Sequence, residues 1–181
     1  MVNFPVQLNL HREGILAVTT VHESAVPAEL AAQAVAATRA IAQGLHYVGV
    51  LCVEFFILEG GQLVVNEMAP RPHNSGHYSM DACDVSQFDL QVRTLAGLPL
   101  TQPRQHSPAI MLNILGDVWF PNGVAEAQTP PWNQILALPG AHLHLYGKKD
   151  AKKGRKMGHL TLTGATVEAV KATTAQAASI Q

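Results

Sequence analysis

The chain has 181 residues, 48% of them hydrophobic and 14% charged, which is apolar enough to bury a core and excludes a disordered chain. The formal net charge of −1 argues against a general nucleic-acid binder, and two cysteines, Cys52 and Cys83, make no disulfide framework. The longest nearly unbroken apolar stretch, Tyr47 to Leu58, contains Glu54 and stops short of the roughly 20 residues that span a bilayer, and the start of the chain lacks a secretory pattern, so a cytoplasmic protein without a membrane segment is expected.

In chain order, Leu10 to Val21 reads as a strand with a loop at each end. Pro27 suits a first-turn helix position, and Leu30, Ala34, Thr38 and Ile41 follow at helical spacing until Gly44. Tyr47 to Leu58, the turn Glu59-Gly60-Gly61-Gln62 and Leu63 to Ala69 form a β-hairpin pattern. Ser86 or Asp84 can cap a helix that carries Phe88, Val92 and Leu95 inward and ends at Gly97 and Pro99. Beyond Pro103, the short runs Ala109 to Leu115, Gln134 to Leu138, Ala141 to Tyr146 and Gly158 to Thr163 look like strands, and Thr166 to Ser179 like a surface helix.

If Gly60 and Gly61 are the central pair of a two-residue turn, Glu54 faces Glu67, Phe56 faces Val65 and Leu58 faces Leu63. Two carboxylates at cross-strand distance repel, so something must compensate them. A divalent cation such as Mg²⁺ would do so; a proton, a salt bridge or a one-residue slip of register would do so equally. The next segment, Ala69-Pro70-Arg71-Pro72-His73-Asn74-Ser75-Gly76-His77, is broken by two prolines and must be a shaped loop. Arg71 offers a planar fork to oxyanions, His73 can move a proton, and Asn74 and Ser75 add neutral hydrogen-bonding groups. The alternatives are an active-site rim and an ordinary polar loop. Charge is uneven: all six lysines lie at 148 or later, and Lys148, Lys149, Lys152, Lys153, Arg155 and Lys156 crowd Gly147 to Lys156. Six cations repelling in ten residues are expected to need an anion to order them, unless the segment is a solvated surface.

The strings Val53-Glu54-Phe55-Phe56, Asn66 through His77, Ser86-Gln87-Phe88 and Gly97-Leu98-Pro99-Leu100 closely resemble the N5-carboxyaminoimidazole ribonucleotide synthetases. These are the ATPase component of phosphoribosylaminoimidazole carboxylase, in the ATP-grasp superfamily. Asn9 to Leu16, Leu143 to Lys148 and Gly154-Arg155-Lys156-Met157-Gly158-His159 extend the resemblance over essentially the whole chain. It implies an α+β fold: an ATP-grasp C-terminal lobe over 1–100 and a small β-rich domain over 101–181, which returns its basic loop to the same cleft.

The resemblance further implies a ligase that uses ATP and bicarbonate to carboxylate 5-aminoimidazole ribonucleotide in purine biosynthesis, through carboxyphosphate. Glu54 and Glu67 match the Mg²⁺ ligands. Arg71 and His73 match the residues that hold bicarbonate and carboxyphosphate, with Asn74 and Ser75 completing the rim. Lys148, Arg155 and Lys156 match the 5′-phosphate ligands of the nucleotide substrate, and a homodimer is the default assembly. His11, Arg12 and His144 sit in matching strings without an assigned role. The family is about twice as long, and its first half supplies the ATP-phosphate lysines, glycine-rich loop and adenine hinge. Residues 1–147 contain no lysine and no glycine-rich phosphate loop. The chain is therefore expected to be a truncated gene product, an excised piece or a separately encoded C-terminal half, inactive without its N-terminal half. The competing expectation is a stand-alone, non-catalytic module that binds anions and nucleotide phosphates.

Overall fold

The computed structural model describes residues 1–180, which form two compact units: residues 1–8 with 21–106, and residues 9–20 with the chain from 107 onward. Among the described residues no helix is long and apolar enough to cross a membrane.

The second unit is built on a five-stranded sheet in the order β1-β2-β5-β7-β6. Its first two strands are β1 (Leu8–Arg12) and β2 (Ile15–Val21), where the sequence suggested one strand. Glu13 and Gly14 turn the chain between them with φ of 50° and 75°. Two consecutive residues at positive φ make a tight hairpin, and glutamate is an unusual occupant of the first position, which is why the turn is hard to read.

β5 (Ala109–Leu115), β6 (Ala141–Leu145) and β7 (Lys156–Thr163) complete the sheet, with β7 antiparallel to both neighbours. The run Gln134 to Leu138 is not a strand. It lies largely in the short helix α4 (Trp132–Leu136), which follows Pro130 and Pro131; a five-residue apolar run carries too little periodicity to separate helix from strand. Ile110, Leu112, Ile114, Leu160 and Leu162 of the sheet pack with Ile135 of α4 and with Val170 and Ala177 of helix α5 (Val167–Ile180).

In the first unit, helix α1 (Ala28–Gly44) begins after Pro27 as its spacing indicates. The hairpin consists of β3 (Cys52–Ile57) and β4 (Leu63–Ala69). Helix α2 (Ser79–Ala82) leads to helix α3 (Gln87–Leu95), capped by Ser86. The inward face of α3 differs from the expected one: Gln87 and Leu90 are buried, whereas Phe88, Val92 and Leu95 are exposed.

Candidate active site and anion-binding loop

Glu54 does face Glu67, but through two irregularities that cancel. The turn holds three residues, Glu59-Gly60-Gly61, since the Leu58 N–H donates to the Gln62 carbonyl at 2.9 Å and the Gly61 N–H to the Leu58 carbonyl at 2.9 Å. That extra residue moves the pairing by one, so Phe56 faces Val64 and Ile57 faces Leu63 rather than the expected partners. Asn66 then bulges out of β4, and beyond it Glu54 meets Glu67, Val53 meets Met68 and Cys52 meets Ala69. Glu54 is buried at 9% exposure and Glu67 is open to solvent.

The imidazole of His73 lies between the two carboxylates, with Nδ1 3.7 Å from Glu54 Oε1 and Nε2 3.3 Å from Glu67 Oε1. The same Nδ1 is 2.9 Å from Ser75 Oγ and accepts from the Ser75 N–H at 3.5 Å, which leaves the Nε2 proton facing Glu67. The two carboxylates foreseen to repel at this hairpin are thus separated by an imidazole that turns its Nε2–H toward Glu67. Asn74 begins the single 3₁₀ turn Asn74–Gly76, and both polar atoms of its side chain are enclosed without a hydrogen-bond partner among the described residues. Arg71 stands exposed on the rim, its Nη1 donating to the Pro72 carbonyl at 3.0 Å. Cys52, two residues before Glu54, has its thiol pushed up to about 11, first by burial, with Ser75 lowering it and Glu54 raising it.

What holds this loop was not apparent from sequence. Gln87, 3% exposed, grips the His73 peptide at both ends: its Oε1 accepts the His73 N–H at 2.8 Å and its Nε2 donates to the His73 carbonyl at 2.8 Å. That Nε2 is also 2.9 Å from His77 Nδ1, and the Gln87 N–H donates to Ser79 Oγ at 3.0 Å. Gly76 lies so close that an added Cβ would sit 2.6 Å from Gln87 Oε1, so the loop needs glycine there for space. The only sequence hint was that Gln87 falls within a matching string.

In the second unit, the basic segment is tied to the 3₁₀ turn Gly116–Trp119. Asp117 accepts the Gly154 N–H at 2.7 Å, and the Gly116 N–H donates to the Arg155 carbonyl at 2.8 Å. Arg155 and Lys156 are half-buried, whereas Lys148, Lys149, Lys152 and Lys153 are exposed. Arg155 Nη1 donates to the Asp150 carbonyl at 2.8 Å, and Lys148 Nζ donates to the Lys156 carbonyl while lying 5.6 Å over the Tyr146 ring. Tyr146 Oη is 2.9 Å from His159 Nδ1, and His144 stacks on His159 with ring centres 4.5 Å apart.

Hairpin, loop and sheet together define the C-terminal lobe of an ATP-grasp fold followed by a small β-rich domain. Residues 1–88 match the ATP-grasp domain, and residues 109–173 match the phosphoribosylaminoimidazole carboxylase C-terminal domain. The chain is a relative of the N5-carboxyaminoimidazole ribonucleotide synthetases and is similar to their C-terminal part. It is 44% identical over 162 residues to the N5-carboxyaminoimidazole ribonucleotide synthase of Brucella melitensis, covering 87% of this chain and 41% of that protein. The Bacillus subtilis enzyme of the same name gives 44% over 162 residues, 87% and 39%.

Among solved structures, the Thermus thermophilus synthetase superposes with a TM-score of 0.86 at 35% identity, covering 98% of this chain and 46% of that one. The Aspergillus clavatus synthase in complex with ADP and 5-aminoimidazole ribonucleotide gives 0.83 at 31%, covering 95% and 45%. The chain therefore spans about two fifths of the length of the curated relatives it matches.

Proposed function

We propose that the chain is the C-terminal half of an ATP- and bicarbonate-dependent ligase that carboxylates 5-aminoimidazole ribonucleotide in purine biosynthesis. The observation that carries this reading is the convergence of Glu54, Glu67, His73 and Ser75 at one end of a rigidly held loop. In the reading, Glu54 and Glu67, paired across the hairpin with the His73 ring between their carboxylates, hold Mg²⁺, since carboxylate oxygens suit a hard cation. When bound with ATP, that ion neutralises phosphate charge.

The protein's own groups do the rest. Arg71 on the rim grips bicarbonate and then carboxyphosphate, and His73 orients the anion and holds a proton at Nε2. Ser75 fixes the ring of His73, and the enclosed, unpartnered Asn74 amide supplies polar atoms for a ligand. Phosphoryl transfer needs positioning and charge neutralisation more than covalent help, which suits this set. In the second unit, Lys148, Arg155 and Lys156 take the 5′-phosphate. A homodimer and an N-terminal half that covers ATP complete the reading.

The test is bicarbonate-dependent ADP release with 5-aminoimidazole ribonucleotide, measured on the chain alone and after adding the N-terminal part of a longer relative. Turnover only with both supports the ligase. Phosphate binding without turnover in the reconstituted protein supports a stand-alone binding module instead, a reading favoured only by the lack of lysine in residues 1–147.

A further inference from the structure

The face of β3 that carries Glu54 also carries Cys52, because residues two apart on a strand point the same way. Cys52 Sγ, a Glu54 carboxylate oxygen and a His73 ring nitrogen all lie within 4.8 Å of one another. Glu54 and His73 are 9% and 12% exposed, so these donors are shielded from water on most sides. The carboxylate and imidazole are already 3.7 Å apart. A tetrahedral zinc ion with bonds of about 2.0–2.3 Å holds its donors roughly 3.3–3.8 Å apart, so Nδ1 and the carboxylate oxygen stand at coordinating separation, with the sulfur within 4.8 Å of both; Nδ1 would exchange its long contact with the Ser75 N–H for the metal.

One sulfur, one nitrogen and one oxygen are the donor set of zinc-class cations. Mg²⁺ favours oxygen alone, and a thiolate tilts selectivity away from it. We propose that Cys52, Glu54 and His73 form a second, softer metal site that takes Zn²⁺ or a similar borderline cation. It overlaps the proposed Mg²⁺ site through Glu54, so occupancy by one ion excludes the other. On binding, the thiol proton of Cys52 is released to solvent and the sulfur–metal bond takes its place. The overlap rests on the proposed Mg²⁺ role of Glu54; the sulfur site does not.

The 181-residue chain, kept reduced by a non-chelating phosphine, is titrated with Co²⁺ and then with Zn²⁺. One Co²⁺ per chain with a thiolate-to-cobalt charge-transfer band, displaced by Zn²⁺, is expected. Cys52→Ser should remove the band and weaken Zn²⁺ by more than about 100-fold, beyond what loss of an outer hydrogen bond costs a metal site. Cys83→Ser should leave both unchanged, with circular dichroism confirming that each variant is folded. No band in the native chain, or an undiminished band in folded Cys52→Ser or Cys52→Ala, overturns the proposal. Mn²⁺, an oxygen-seeking probe, is read in parallel. Binding lost in Glu67→Gln but retained in Cys52→Ser supports the overlap, whereas Mn²⁺ binding indifferent to Glu67→Gln overturns the overlap and the Glu54–Glu67 reading alone.

Discussion

A glutamine amide can pair with a peptide unit as one strand pairs with another, and Gln87 does so with His73 in a buried setting. Gln87→Glu should therefore cost more than its small change in shape suggests. The new carboxylate sets an acceptor against the His73 carbonyl and leaves a buried group unpaired, a loss of about 1–3 kcal/mol measurable by urea denaturation. The cysteines give a second expectation. Burial first of all pushes Cys52 up to about 11 and Cys83 up to about 12 from an ordinary 9.0, so the folded state prefers both as neutral thiols. Their contribution to stability is complete below 9.0 and is lost as pH rises through about 11 to 12. Alkylation of Cys52 in the folded chain should be slow at neutral pH and gain about tenfold per pH unit until that range, followed by mass spectrometry. At this scale the candidate residues were legible because each is chemically distinctive and stands in a long matching string. Gln87 and Cys52 were not, since their roles depend on which peptide or carboxylate they meet in space.

Two elements show how local chemistry fixes the parts that present the site. Ser86 accepts the Asp89 N–H at 3.1 Å, and Asp89 Oδ2 accepts the Ser86 N–H at 3.0 Å, a reciprocal cap that starts α3 and so places Gln87. Hydrogen bonds from Ser86 hold the Asp89 carboxyl below its ordinary 3.8, so the cap is at full strength above that value and weakens as pH falls below it. Ser86→Ala should destabilise the protein by about 1 kcal/mol at neutral pH, read by thermal unfolding.

The basic loop depends on Gly116, whose added Cβ would run into the Lys152 backbone. Gly116→Ala should displace the loop, speed tryptic cleavage at Lys152 and Lys153, and weaken phosphate binding. Arg155→Ala should weaken binding of the aminoimidazole ribonucleotide far more than Lys152→Ala, because Arg155 is held half-buried while Lys152 projects into solvent. Helix α1 and the capped start of α3 were legible from proline, serine and apolar spacing. The compensating turn and bulge of the β3–β4 hairpin were not, because a two-residue and a three-residue reading of Glu59-Gly60-Gly61-Gln62 suit the same glycines. The facing of Glu54 and Glu67 came out as expected only because the Asn66 bulge undoes the extra turn residue.

At the scale of the molecule, the second unit has a sheet buried against two helices, whereas the two-stranded hairpin of the first unit leaves apolar side chains exposed on both of its faces. Phe56, Val64, Val65 and Met68 are 53%, 42%, 44% and 49% exposed. Relatives more than twice as long match this chain over nearly all of its residues. The α+β class came with the family resemblance, and the helical and strand-like segments read from the sequence agree with it. The grouping of residues 9–20 with the sheet of the second unit did not, since strand partners far apart in sequence leave no local mark. The central claim is that these residues form the carboxylating half of a ligase. The most direct measurement fuses the N-terminal part of the Thermus thermophilus synthetase to this chain and follows bicarbonate-dependent ADP release with 5-aminoimidazole ribonucleotide. The account predicts turnover by the fusion, none by the 181-residue chain alone, and loss of turnover in Arg71→Ala and His73→Ala. A folded fusion that binds ATP and the ribonucleotide yet releases no bicarbonate-dependent ADP would contradict it.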